Sequence, residues 1–370
     1  MMVSSTVALR KPRSRLIDRF CGYCMGLPFF AELSASGLSL PQSHFEMIGF
    51  PLHSSMIALL LLLPQFKLRK STLFYAVFFV IYLIFCLMQD FSRALLAVQS
   101  IYFLIFYFVL ESLDLTRLRL ISLSAVQALL VFSVVHLASA AFNAFSSLVL
   151  VVVGMGDFWG LTIYQSHLTY PLVLIFSLWM SGFHKAELGR YQLVLLVAVV
   201  LLEFLLLRRA ALGILFVYLL AYRPKATFAI STSFVLLGGV LLADTIGKVS
   251  ERLELTRGNA WNDSAKILSD VYFLFFGNGL NNYSHNYFMH TLTTHGLLYS
   301  IGLFSILAMV IIKFFKKVNY SLAPCGFVVG IMLIDWQVNA NLYQPYYAAM
   351  FALALVLISQ GSGRYTKSNP

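Results

Sequence analysis

The strongest constraint on this chain is a succession of apolar runs, most of them near twenty residues long and almost free of charge. One helix of that length crosses a bilayer's hydrocarbon core of about 30 Å, whereas soluble helices show a polar face at the helical period. The runs fall at about 16–33, 47–64, 71–89, 94–112, 119–142, 166–183, 191–207, 210–222, 226–243, 290–312, 321–338 and 343–359. With 60% hydrophobic and only 11% charged residues and a mean hydropathy of +0.83, 370 residues do not describe a water-soluble globule. The reading is all-α: a polytopic helical membrane protein of about twelve transmembrane helices, one integral domain over residues 1–370. Pro28 and Glu32 interrupt the first run, and 210–222 is short. The basic N-terminus and Ser34-Ala35-Ser36 resemble a signal sequence, but Pro28 and Glu32 favour an uncleaved first helix.

Basic residues stay on the cytoplasmic side of a membrane, and they set the orientation. With the N-terminus inside, nineteen of the 26 Lys and Arg residues are cytoplasmic, Arg117, Lys313 and Lys317 among them. The other seven, Arg93, Arg208, Arg209, Lys248, Arg252, Arg257 and Lys266, are outside. Both termini are therefore expected in the cytoplasm. The net charge of +11 is this topology signal with some attraction to anionic membrane lipids, and it calls for no nucleic acid.

Two outer segments stand apart from the short connections. Residues 143–165 carry the apolar strip Leu148 to Val153 and then Gly154, Gly156, Asp157, Phe158 and Trp159, which predicts an interfacial helix or a re-entrant hairpin. Residues 244–289 form the one extended hydrophilic loop, where function is expected to concentrate. In it, Arg257 and Trp261 open a short amphipathic helix reaching Asp270, and Gly277-Asn278-Gly279 breaks the chain with residues that tolerate left-handed backbone. Ser284 or Asn286 then caps the next helix, whose N-terminus suits a phosphate. Arg208 and Arg209 sit in an outer turn on the same side, and paired guanidinium groups favour diphosphate.

The segment from His285 to Tyr299 places a polar head on an apolar helix. At about 100° per residue, Met289, Leu292, Gly296 and Tyr299 fall in one stripe below His285, with Gly296 admitting a neighbouring helix or a lipid chain. His285, His290 and His295 recur every five residues, about 140° apart, and do not converge on a metal ion. His290 and His295 read as structural histidines at headgroup level, Cys21 and Cys24 as two small side chains one turn apart on a helix, and Cys86 and Cys325 as packing residues. Glu203 lies deep in an apolar run and needs a partner such as His136 or Arg93; Asp90 and Arg93 read as a local ion pair, and Asp335 as a reserve base near the outer face.

Together these residues resemble a known family. His285-Asn286, nine residues, then Gly296-x-x-Tyr299 is similar to the signature of the bacterial O-antigen ligase and polymerase superfamily. Arg209-Ala210 after the outer turn, Arg257 followed by Trp261, and Asp335 with Asn339 before Pro345 resemble its other outer-face motifs, so the likeness covers about residues 160 to 360. It implies glycosyl transfer at the periplasmic face of the inner membrane. An undecaprenyl-diphosphate-linked glycan would be the donor, and lipid A-core (ligase) or another lipid-linked repeat unit (polymerase) the acceptor. Arg209 and Arg257 would stabilise the departing diphosphate, and His285 would take the acceptor's proton or bind the phosphate. Arg208, Trp261, Asn286, Gly296, Tyr299 and Asp335 would line the substrate site. No metal or cofactor is expected, and no Walker-type loop is present to bind a nucleotide. The Gly-x-x-Tyr ending leans toward a ligase and the compact loop suits a polymerase. A lipid-linked-sugar transporter is the alternative of a different class.

Overall fold

The computed structural model describes residues 12–27, 30–34, 37–39, 50–66, 70–146, 157–158, 161–162, 177, 262–279, 286–332 and 345–361. Helix accounts for 88% of them, as the all-α reading requires. The helices are α1 (Pro12–Gly26), α2 (Ser55–Leu62, prolonged by a 3-10 turn), α3 (Lys70–Gln89), α4 (Phe91–Ser100), α5 (Tyr102–Glu111) and α6 (Leu115–Ser146). They continue as α7 (262–268), α8 (Val271–Phe276), α9 (Tyr287–Lys317), α10 (Leu322–Ile331) and α11 (Pro345–Gly361). The expected spans from 166 to 243 lie almost wholly outside the described residues.

At the centre is α11, apolar on every side and buried at every residue but Gln360. A helix with no polar face has to be surrounded, and α1, α2, α5, α6 and α9 all touch it. Small residues set how close other helices come. A Cβ on Gly22 or Gly26 would sit 2.3 or 2.4 Å from the Ile121 or Ala125 carbonyl oxygen, so this Gly-x-x-x-Gly pair lets α1 lie directly on α6.

Several expected spans are corrected. The run 16–33 is not one helix: α1 ends at Gly26, as expected of a chain with proline two residues on, a residue that lacks an amide and disfavours helix before it. Beyond it Phe30–Ser34 form β1, paired antiparallel with β2 (Gly37–Ser39) and β3 (Phe50–His53) in the order β2-β1-β3. The run 47–64 is thus helical only from Ser55, and Pro51 is accommodated because β3 is an edge strand. The run 94–112 is two helices, α4 and α5, bent by 44° at Ile101. Within 143–165, α6 continues to Ser146 and the described strands pair as a minimal hairpin, Asp157↔Thr162 and Phe158↔Leu161, while the apolar strip from Leu148 to Val153 lies outside the described residues. Among the described residues, α9 is the helix long and apolar enough to cross a membrane, and α4 with α5 makes a second if counted as one span.

The polar contacts collect at two ends. At one, Arg117 Nε donates to both oxygens of Asp18 at 3.0 Å and the guanidinium also reaches Gln65. Nearby Glu111 accepts from Lys313 at 2.6 Å and Lys317 at 2.7 Å. At the other end are Arg93, the turn after α8 and the head of α9. Between the ends, α3 exposes Phe74, Val77, Val80, Ile81, Ile84 and Met88, large apolar side chains repeating at helical spacing, while Thr291, Thr294, His295 and Ser300 of α9 are buried.

The two described classes of ion pair predict different costs. Asp18 is 4% and Arg117 13% exposed, so Arg117→Ala strands a buried carboxylate at about 3–5 kcal/mol. Lys266→Ala, which breaks a pair 80% and 70% exposed, costs about 0–1 kcal/mol. Unfolding midpoints in detergent should fall clearly for the first variant alone; equal shifts would contradict the packing described.

Candidate functional site

The head of α9 is built by its cap and its first residue. Asn286 caps it, Oδ1 accepting from the Phe288 and Met289 amides at 2.9 and 3.0 Å, as its residue type predicts. Tyr287 is buried, and its hydroxyl donates to the Ser100 carbonyl at 3.0 Å, seating the head against the α4–α5 bend.

Gly296 then breaks the helix, with φ +82° and ψ 174°, backbone angles open essentially to glycine alone. A break deprives the preceding carbonyls of their intrahelical donors. The loop replaces them: Asn278 N–H donates to the Thr293 carbonyl at 2.9 Å and Gly279 N–H to that of Thr294 at 3.1 Å. Gly277 and Gly279 both have φ +71°, the freedom expected of this turn. The fit leaves no room for side chains, since a Cβ on Gly296 would lie 2.3 Å from the Phe275 carbonyl oxygen and one on Gly277 2.3 Å from that of Thr294.

Two expectations are corrected by this geometry. Met289, Leu292, Gly296 and Tyr299 do not form one stripe, because the non-helical residue shifts the helical phase between the halves. The close neighbour of Gly296 is the Phe275–Gly277 backbone, not another membrane helix or a lipid chain. A third concerns Arg93, which makes no ion pair with Asp90. Exposed Asp90 caps α4 by accepting from Ser92 N–H at 3.2 Å. Buried Arg93 donates instead to Gln89 Oε1 and to the Phe276 and Gly277 carbonyls, where the C-terminal end of α8 presents negative partial charge to it.

Below the break lies an aromatic cluster. Tyr299 shares a hydrogen bond with Ser100 Oγ at 2.6 Å and stacks on Tyr82 with centroids 4.0 Å apart. The Tyr82 hydroxyl is 3.2 Å from His295 Nδ1. The Leu96 backbone is close to this imidazole, yet Nε2 completes no hydrogen bond among the described residues. His295 forms the floor of a 320 Å³ cavity whose rim is made by exposed Ile81 and Phe85 of α3, Phe275 and Phe276 of α8 and Leu298 of α9. An apolar mouth over a buried imidazole suits a hydrocarbon chain lying beside a polar group.

Of the expected site residues, the structure brings Asn286, Gly296 and Tyr299 into one assembly, with Tyr299 directed inward to Ser100. Arg208, Arg209, Arg257, Trp261, His285 and Asp335 lie outside the described residues, as do Glu203 and its suggested partner side chain His136. The helix expected up to Asp270 is described as α7, and Asp270 caps α8 through the Tyr272 and Phe273 amides. Sequence reasoning missed Tyr82 and His295 as cavity residues; a tyrosine and a histidine in apolar runs carry no signal of which way they face.

Gly296→Ala should cost about 1–3 kcal/mol from backbone strain and unseat the turn. Tyr299→Phe, which keeps the stack and loses one hydrogen bond, should cost about 0.5–1.5 kcal/mol. Unfolding in detergent with proteolysis at residues 277–279 checks both: cleavage there should rise for Gly296→Ala and not for Tyr299→Phe. Comparison of the chain with protein-family models, curated proteins and solved structures finds no match.

Proposed function

We propose that the chain is a polytopic inner-membrane glycosyltransferase of O-antigen ligase or polymerase type, with about twelve spans and both termini cytoplasmic. The observation that carries the reading is the assembly at the head of α9. The residues resembling the family signature, Asn286 and Gly296 among them, are the ones that cap the helix and receive the turn of the hydrophilic loop. Support for a membrane setting comes from the outward apolar face of α3 and from polar side chains gathered at two ends. The cavity over His295 opens beside the same turn and matches a lipid-linked donor.

In this scheme an acceptor hydroxyl oxygen attacks the anomeric carbon of the donor. The bond from that carbon to the diphosphate oxygen breaks, and its electron pair leaves with undecaprenyl diphosphate. The hydroxyl proton passes to His285. Arg209 and Arg257 stabilise the charge growing on the diphosphate, each worth about 10²- to 10³-fold in rate, and proton removal by His285 about 10²- to 10⁴-fold. In the scheme Arg208 and Trp261 hold the donor at the membrane edge, Asn286 presents the helix N-terminus, and Asp335 is the reserve base. The diphosphate is already an activated leaving group, so the scheme calls on neither nucleotide nor metal. Lipid A-core is the favoured acceptor because of the Gly-x-x-Tyr ending.

Deleting the gene and inspecting lipopolysaccharide tests the proposal. A ligase leaves core without O-chains and polymer on undecaprenol, a polymerase leaves core with single repeat units, and a transporter traps the donor on the inner leaflet. His285→Ala, Arg257→Ala and Arg209→Ala should each lose transfer by about 10²-fold or more at normal protein level, and full activity in any of them removes its assigned role.

A further inference from the structure

We propose that Arg93 is a positioning residue that latches the outer loop onto the break in α9 and thereby sets the segment carrying His285 and Asn286; the catalytic part of this inference rests on the transfer reaction proposed above. The need for a latch follows from α8. It has six residues, none of them buried, and Val271 and Tyr272 are 68% and 58% exposed, so side-chain burial does little to hold it. What holds it is polar. Arg93 comes from the start of α4, is 7% exposed, and donates to the carbonyls of Phe276 and Gly277 that end α8. Gln89, one turn earlier, braces the guanidinium from α3. The turn also closes over its flank: a Cβ on Gly279 would lie 3.4 to 3.6 Å from Arg93 Cδ, Cζ and Nε.

Among the described residues no carboxylate pairs with this guanidinium. A buried cation persists only where fixed dipoles replace its water, and the two carbonyls of the turn do so here. The planar fork reaches both of them and Gln89 at once, which a lysine ammonium on a flexible stem does less well. Fixing the turn in turn fixes the amides of Asn278 and Gly279 on the Thr293 and Thr294 carbonyls, just short of the break. From Gly277 only nine residues lead to Asn286, so the latched turn and the cap of α9 lie on one short stretch of chain.

The experiment compares the full-length protein with Arg93→Ala, Arg93→Lys and Gln89→Leu in detergent, following hydrogen exchange and transfer from an undecaprenyl-diphosphate-linked glycan. In Arg93→Ala the peptide spanning 271–279 should exchange about tenfold faster while α11 stays protected, and kcat should fall about 10²-fold with donor KM nearly unchanged. Added guanidinium ion should restore part of the rate, Arg93→Lys should recover little, and Gln89→Leu should lie between wild type and Arg93→Ala. Unchanged exchange in Arg93→Ala overturns the latch. Faster exchange at undiminished kcat, or a KM effect alone, overturns the positioning role. A wild-type protein that transfers no glycan removes the enzyme reading, and the exchange measurement still decides the latch.

Discussion

Every buried backbone carbonyl needs a donor, and the break at Gly296 leaves carbonyls of α9 without theirs. An unsatisfied buried group costs about 1–3 kcal/mol, and inside hydrocarbon the penalty is larger. The amides of Asn278 and Gly279 meet that need for Thr293 and Thr294. A loop that would otherwise drift at the surface is thereby tied to the interior of a helix. The requirement runs in both directions, since Gly277 and Gly296 must each lack a side chain for the two backbones to approach.

The same demand explains where the small polar side chains go. Thr291 and Thr293 hydroxyls donate to carbonyls one turn back, at 2.8 and 2.9 Å, and Ser300 donates to the Gly296 carbonyl at 2.7 Å. Such back-bonding hides a hydroxyl without a partner helix and favours bending, so three of these residues around one glycine make a bend at this position consistent with its neighbours. Apolar residues are meanwhile free to face outward, as Leu298, Ile301 and Ile312 do.

What the sequence made legible were the features that depend on local chemistry. Asn286 as a cap, left-handed backbone in the Gly277-Asn278-Gly279 turn, and helix over 71–89 and 119–142 follow from residue type and hydropathy, and the structure has all of them. What stayed hidden depended on distant partners. Gly296 reads equally as a contact residue in a straight helix and as a break, and only the Phe275–Gly277 backbone decides between them. Arg93 next to Asp90 reads as a local pair, because the Phe276 and Gly277 carbonyls are more than 180 residues away in the chain. Hydropathy also ran across Ile101, where a 44° bend divides a helix whose composition stays apolar. The site residues Arg209, Arg257 and His285 fall outside the described residues, so the candidate site is legible only at the head of α9.

Ser100 shows how the broken helix is kept in register. Its carbonyl accepts from Tyr287 in the head of α9, and its hydroxyl bonds to Tyr299 in the tail. In a straight helix the Cα atoms of these tyrosines would be about 18 Å apart. Here both converge on the residue that ends α4, beside the 44° bend to α5, so one bend faces another and a single serine pins the two sides. The head is thus anchored by Tyr287, while α8 and its turn lack buried side chains of their own and rely on hydrogen bonds. Local stability is lowest where apolar burial is least, so the loop keeps its place beside the head of α9 only while those hydrogen bonds hold.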